Sequence, residues 1–285
     1  MAGPQRRDLR TYTGFLLRRA YVATVGVEAS CLGDDARMRE VAVLFILDEH
    51  GALSQREVAE LTHISPTVMV GLVDSLGARG WVVRERKVED RRSYALRLTG
   101  AGRAALRRAT RDLDRSERRL TADLSEDEVA RLRRHLSVLL GDDPALQVTA
   151  LAERVGYLVR HAHRRSRERA QAALRQFDLH PRNFGLLSVV GRDEPCSQSH
   201  LAAVLGVSDP AVLPALEALE TRGLLTRERN ADDRRISDVR LTAEGRELLD
   251  GAQAQADAMQ ADIVQRLGVE ANDDLRGLLA RIVNG

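Results

Sequence analysis

Lysine is almost missing from this chain. Among 44 basic side chains in 285 residues only Lys87 is a lysine, so the positive charge is arginine charge. An arginine fork meets a phosphate or carboxylate through two parallel hydrogen bonds, which a lysine ammonium does not. Cysteine is scarce too. Cys31 and Cys196 stand far apart and in no metal-ligand spacing, which argues against a disulfide framework and suits a reducing cytoplasm. With aromatics at 3%, any core has to be built mainly from Leu, Val and Ala. No apolar run approaches the ~20 residues of a membrane helix, and the opening Met1-Ala-Gly-Pro-Gln-Arg-Arg7 has no apolar signal core, so a cytoplasmic protein with no membrane partner is expected. There is no glycine-rich phosphate loop, no HExxH and no nucleophile elbow, so no cofactor is expected and an enzymatic role is not favoured. A net charge of +2 does not decide for or against nucleic acid; the local distribution must.

What the chain does have is a repeat. Gly80-Trp-Val-Val-Arg-Glu-Arg-Lys-Val-Glu-Asp-Arg-Arg92 recurs as Gly223-Leu-Leu-Thr-Arg-Glu-Arg-Asn-Ala-Asp-Asp-Arg-Arg235. Both copies continue into Arg-Leu-Thr and Gly-Arg, at Arg97 to Thr99 with Gly102-Arg103 and at Arg240 to Thr242 with Gly245-Arg246. The offset is constant, 223 − 80 = 143 and 245 − 102 = 143, and it holds upstream, where Ser54 matches Ser197 and Leu76 matches Leu219. A fixed period means one domain type used twice, here 1–143 and 144–285.

Within the first copy, apolar positions Phe15, Leu16, Val22, Val25 and Ala29 predict a helix over about 11–30, and Val41, Leu44, Phe45 and Leu47 a second over about 36–48. Ser54 with Glu57 forms a capping-box pattern that opens a short helix ending near Leu61. After the turn at Thr62-His63-Ile64, Ser65 caps a helix whose buried stripe is read as Val68, Leu72 and Leu76, and Gly80 stops it. Two short strands, Trp81 to Arg86 and Ser93 to Leu98, flank a charged turn, and two capped helices follow from Thr99 and Ser125. The second copy repeats the plan, with a first helix predicted over about 149–176. The pattern is mainly α with small β-wings: tandem winged helix-turn-helix domains. Gly141-Asp-Asp-Pro144 is the only good linker and it is short, so the copies are expected to meet through their terminal helices as an intramolecular pseudo-dimer, leaving the chain monomeric.

At Leu76, Arg79-Gly80, Arg84, Asp90-Arg-Arg92, Arg97-Leu-Thr99 and Gly102, and again at Leu219, Arg222-Gly223, Arg227, Asp233-Arg-Arg235, Leu241-Thr242 and Gly245, the sequence resembles the MarR family of bacterial transcription regulators. The resemblance covers nearly all of both halves. It implies two recognition helices set in successive major grooves of double-stranded DNA, wings on the flanking minor groove or backbone, and a small aromatic or phenolic effector bound near the dimer helices.

The candidate DNA contacts are the wing arginines Arg84, Arg86, Arg91 and Arg92, with Arg227, Arg229, Arg234 and Arg235, as phosphate partners, and Ser65, Thr67 and Ser208 on the reading helices. The reading helices depart from the family. The first shows Thr67, Val70, Gly71, Asp74 and Ser75 outward and no cation before Arg79; the second shows Asp209, Pro210, Leu213, Pro214 and Glu217, with Pro214 inside the helix where it removes a backbone bond. Two readings therefore stand side by side: a regulator, or a scaffold that has lost sequence-specific DNA binding and uses a cavity between the repeats to bind or transform a small molecule. Leu213 and Pro214 as a protein-docking surface is a third. For a ligand, Tyr12, Phe15 and Arg19, or Tyr157, His161 and Arg164, combine rings with a guanidinium at helical spacing, as an aromatic acid requires. His161-Ala-His163 places two imidazoles on different helix faces with no third ligand near in sequence, so no metal site is expected.

Overall fold

The computed structural model describes residues 8–32, 35–86, 94–229 and 237–284, with the side chains of 35–37 and of Arg229 outside the described set. A single 3-10 turn, Leu9–Thr11, capped by the Asp8 side chain, leads into α1 (Thr13–Leu32). Then come α2 (Asp35–His50), α3 (Gln55–Thr62), α4 (Pro66–Ala78), strands β1 (Val82–Arg86) and β2 (Tyr94–Leu98), α5 (Gly100–Leu120) and α6 (Glu126–Leu140). The second series is α7 (Thr149–Ala152), α8 (Val155–Leu174), α9 (Pro181–Asp193), α10 (Gln198–Leu205), α11 (Asp209–Thr221), β3 (Leu225–Arg229), β4 (Ser237–Leu241), α12 (Ala243–Leu267) and α13 (Val269–Asn284). The architecture is mainly α with two small antiparallel wings, one per winged helix-turn-helix. The wings share a register, Val82 opposite Leu98 and Leu225 opposite Leu241. The 143-residue offset carries into space, since 225 − 82 = 143 and 241 − 98 = 143.

Local chemistry sets the boundaries. Ser54 and Glu57 form a reciprocal capping box on α3, and Ser125 and Glu128 form another on α6, each satisfying two backbone donors that a helix start leaves unpaired. The repeated Gly…Thr…Gly signature is one structural knot. The Thr99 hydroxyl donates to the Gly80 carbonyl at 2.7 Å and accepts from the Gly102 amide at 3.0 Å; Thr242 does the same with Gly223 at 2.7 Å and Gly245 at 2.9 Å. Gly80 and Gly223 take positive φ after α4 and α11, and a Cβ on Gly102 or Gly245 would run into the carbonyl oxygen of Trp81 or Leu224. Arg103 and Arg246 donate to the carbonyls of Leu98 and Leu241, so these signature residues hold wing to helix.

Two expectations shift, and the short linker gains a defined structure. In α4 the buried residues are Met69, Leu72, Val73 and Leu76, an i, i+3, i+4, i+7 stripe that leaves Val68 exposed at its margin. The linker is ordered: the Asp143 side chain accepts from the Ala145 amide and caps a 3-10 turn over Pro144–Gln147. The helix predicted over 149–176 is α7, then α8, then a 3-10 turn at Arg175–Phe177.

Two compact units emerge, and each draws on both sides of the 143/144 repeat boundary. One comprises residues 20–162 and 273–285, the other 1–19 and 163–272. The first has its core in Leu44, Ile46, Met69, Leu76 and Leu96; the second in Leu186, Leu201, Leu216, Leu219 and Leu249. Each fully buried leucine stabilises its unit by about 1.5–3 kcal/mol, so both have independent cores. No single helix among the described residues is long and apolar enough to cross a membrane.

Candidate nucleic-acid interface and ligand cavity

On the α4 side, Ser65 caps the helix and Thr67, Val70, Gly71 and Asp74 are exposed, with Ser75 half-buried. The Ser75 hydroxyl donates to Glu40 and accepts from Arg79, whose guanidinium lies 4.6 Å from the centre of the Trp81 ring. Arg84, on β1, donates to the Asp74 carboxylate at 2.7 Å. Arg97 pairs with Glu85 at 2.8 Å, and Arg86 lies over the Tyr94 ring at 5.9 Å. Arg91 and Arg92 lie outside the described residues.

On the α11 side, Ser208 precedes the helix without a side-chain capping bond, and Asp209, Pro210, Pro214 and Glu217 are exposed while Leu213 is half-buried. The helix is continuous through Pro214. Asp209 accepts from the Ser199 hydroxyl at 2.8 Å, which places an acid at the helix N-terminus where a phosphate would otherwise be drawn. Arg227 donates through two nitrogens to Glu220, at 2.8 and 2.5 Å. The Arg229 side chain, Arg234 and Arg235 lie outside the described residues. Each unit thus ties its inner wing arginine to an acid of its own reading helix. The two acids are not equivalent in the repeat: Asp74 corresponds to Glu217, whereas Glu220 corresponds to Gly77. These pairs reduce the charge available to DNA without removing it, because both arginines keep solvent-facing area.

The second feature is a cavity of about 350 Å³ inside the 1–19/163–272 unit. Its walls include Tyr12, Phe15, Phe184, Leu205, Val212 and Met259, and its polar lining includes Arg18, His163, Arg167 and Arg182. Among the described residues, no acidic side chain lines it. Arg18 is held below the ordinary arginine value by burial, then by Arg182 and Arg19, and donates to the Leu205 carbonyl at 2.9 Å. Burial, with Arg167 and Arg18 adding to it, pushes the His163 imidazole down to about 4, so it is neutral at pH 7. An apolar chamber whose charged groups are cations can hold an amphipathic anion.

Of the ligand residues expected from sequence, Tyr12 and Phe15 line this cavity and Arg19 does not; Arg18 takes its place. The reason is local. Tyr12 precedes the helix in an extended conformation, so counting i, i+3, i+7 from it overshoots by one residue. Arg164 turns instead to Glu168 at 3.0 Å. Tyr157 and His161 are buried in the other unit. There the Tyr157 ring sits 4.3 Å from the His161 ring, and the Tyr157 hydroxyl donates to the Ala145 carbonyl at 3.2 Å.

Beside them is an arrangement that sequence reasoning missed. His63 Nε2 lies 2.8 Å from Asp143 Oδ1, and the donor atoms of His63, Asp143 and His161 all lie within 4.8 Å of one another. His63 and Asp143 are separated by 80 residues, so no local spacing signals the cluster. One signal was present in the repeat: His63 stands where the second copy has Gly206, and both are left-handed, at φ 53 and 64. That conformation costs a non-glycine residue about 1 kcal/mol.

Comparison with known proteins follows the repeat. Family models described as MarR family match residues 37–94 and, separately, 177–236. An uncharacterized HTH-type transcriptional regulator of Bacillus subtilis (strain 168), YdgJ, is 30% identical over 99 residues, which are 35% of this chain and 60% of that protein. The match therefore spans less than two thirds of that relative. Among solved structures, the transcriptional repressor CouR bound to a 23-mer DNA duplex is 31% identical, covering 47% of this chain and 95% of its own, with a TM-score of 0.45. CouR from Rhodococcus jostii RHA1 bound to p-coumaroyl-CoA is 26% identical with the same coverage and TM-score. An S. aureus MepR–DNA complex is 25% identical over 45% of this chain and 95% of its own, at a TM-score of 0.43.

Proposed function

Because this chain belongs to the MarR family, with one MarR-like domain in each half, we propose that it is a cytoplasmic transcription regulator. It would hold double-stranded DNA through both winged helices of one monomeric chain and be switched by an anionic aromatic ligand. The observation that carries the ligand half is the acid-free cavity, in which Tyr12, Phe15 and Phe184 offer ring faces and Arg18, Arg167 and Arg182 offer charge. The volume suits one or two fused rings with a carboxylate. A ligand preferring one arrangement of the reading helices shifts the population away from the DNA-competent one by its differential affinity.

On DNA, the wings supply phosphate contacts through Arg84, Arg86, Arg227 and the remaining wing arginines, and Ser65, Thr67 and Ser208 are the polar groups offered by the reading helices. The experiment is fluorescence anisotropy with upstream and random duplexes across a salt series, with and without one- and two-ring aromatic carboxylates. A steep salt slope, preference for the upstream duplex, and release by a carboxylate are expected; absence of any salt-sensitive complex at low ionic strength sinks the proposal.

The Arg84–Asp74 and Arg227–Glu220 pairs, with Asp209 at the start of α11, favour a second reading, in which base-specific contact has been given up and the chain is a small-molecule-binding protein. Carboxylate binding with no preference between duplexes is its outcome.

A further inference from the structure

We propose that His63, Asp143 and His161 form a binding site for one divalent transition-metal ion, with Zn²⁺ the best fit. The three residues come from three separate segments of the 20–162/273–285 unit. His63 ends α3 at the helix-turn-helix turn, Asp143 starts the 3-10 turn after α6, and His161 lies on α8. Their donor atoms already lie within 4.8 Å of one another, and the closest pair, His63 Nε2 and Asp143 Oδ1, is 2.8 Å apart. An ion with bonds of about 2.0–2.2 Å to nitrogen and oxygen sits among donors a little over 3 Å apart, so this pair must part slightly and His161 close in. Two imidazoles and a carboxylate suit Zn²⁺ and its neighbours rather than Ca²⁺ or Mg²⁺, which take oxygen. Asp143 and His161 are buried, whereas the His63 side chain keeps a quarter of its surface in solvent. An ion therefore has an entry path and a side on which water completes its shell.

The neighbours hold the donors in place. The Ala145 amide donates to Asp143 Oδ1 at 3.0 Å, and Tyr157 spans the site, its ring against His161 and its hydroxyl on the Ala145 carbonyl. Such contacts around the ligands commonly tune affinity. The repeat gives independent support. Position 63 needs a left-handed backbone that the second copy meets with Gly206, yet a histidine stands there, and Arg18 of the second unit's cavity corresponds to His161. The bound ion would pin the turn before α4 to the linker and to α8.

The test is calorimetric titration of Zn²⁺ into the metal-free full chain, with Co²⁺ absorption as a second readout of the ligand set. His63→Gly copies the residue of the other repeat and relieves the backbone, so it is expected to fold. One equivalent should bind wild type, weaken by about 100-fold in His63→Gly and in Asp143→Asn, and stay unchanged in His200→Gln, whose histidine pairs with Asp193 elsewhere. Absence of a bound equivalent in wild type overturns the site. So does wild-type affinity in both His63→Gly and Asp143→Asn.

Discussion

Gly14, Arg18 and Gly206 in one unit correspond, through the 143-residue offset, to Tyr157, His161 and His63 in the other. In the 1–19/163–272 unit Gly14 and Arg18 line an apolar chamber of about 350 Å³, and Gly206 sits between the lining residues Leu205 and Val207. At the same places in the 20–162/273–285 unit, a tyrosine and a histidine are buried at 4% and 6% exposure, and the other histidine joins them beside Asp143. At the helix starts and the wing-to-helix signature the copies stay chemically parallel. Gln260 accepts from the Thr13 amide at the start of α1, and its counterpart Glu117 accepts from the Val155 and Gly156 amides at the start of α8. The scaffold has been kept and the interior chemistry has diverged. A duplicated domain can keep one copy of a chamber for an anion and turn the other to a polar cluster, because caps, wings and signature glycines fix the frame independently of what it encloses.

That contrast can be broken most strongly at Tyr157. Tyr157→Ala removes a buried ring and should destabilise its unit by about 3–5 kcal/mol in chemical denaturation, whereas Gly14→Ala should stay within about 1 kcal/mol, its Cβ meeting only the movable hydroxyl of Ser166. Equal losses would mean that the two places are packed alike. Next in size, Gly102→Ala and Gly245→Ala should each cost about 3 kcal/mol, since the added carbon meets a backbone carbonyl in both copies. A large difference between the two variants would break the shared frame. Arg18→Met should weaken aromatic carboxylate binding by about 30-fold with little change in melting temperature, the loss of one charge-assisted contact. The smallest effect is expected at the wing: Asp74→Asn frees Arg84 from an exposed pair, so stability should move by less than about 0.5 kcal/mol. The salt slope of DNA binding should then steepen by roughly 0.9 if Arg84 gains a phosphate. An unchanged slope would place Arg84 away from DNA.

Much of the frame was legible in the sequence because it rests on local chemistry. Ser54 with Glu57, Ser125 with Glu128, Thr99 and Thr242 announce helix starts, and Gly80 and Gly223 announce their ends. The interior was harder. Arg18 faces the cavity rather than Arg19 because Tyr12 stands in an extended conformation before α1, and Val68 was placed inward although the buried stripe of α4 runs through Met69, Leu72, Val73 and Leu76. His63 and Asp143 meet only after the chain folds across 80 residues. The arginine partners also lie across the fold: Arg84 reaches back to Asp74 on the reading helix, and Glu85 accepts from Arg97 across the wing.

The most direct measurement is calorimetric titration of the full chain with a two-ring aromatic carboxylate, in wild type, Arg18→Met and Tyr157→Ala. One equivalent per chain, weakened in Arg18→Met and retained in Tyr157→Ala, is the predicted result. Two equivalents per chain, or binding indifferent to Arg18, would contradict a single anion chamber in the 1–19/163–272 unit.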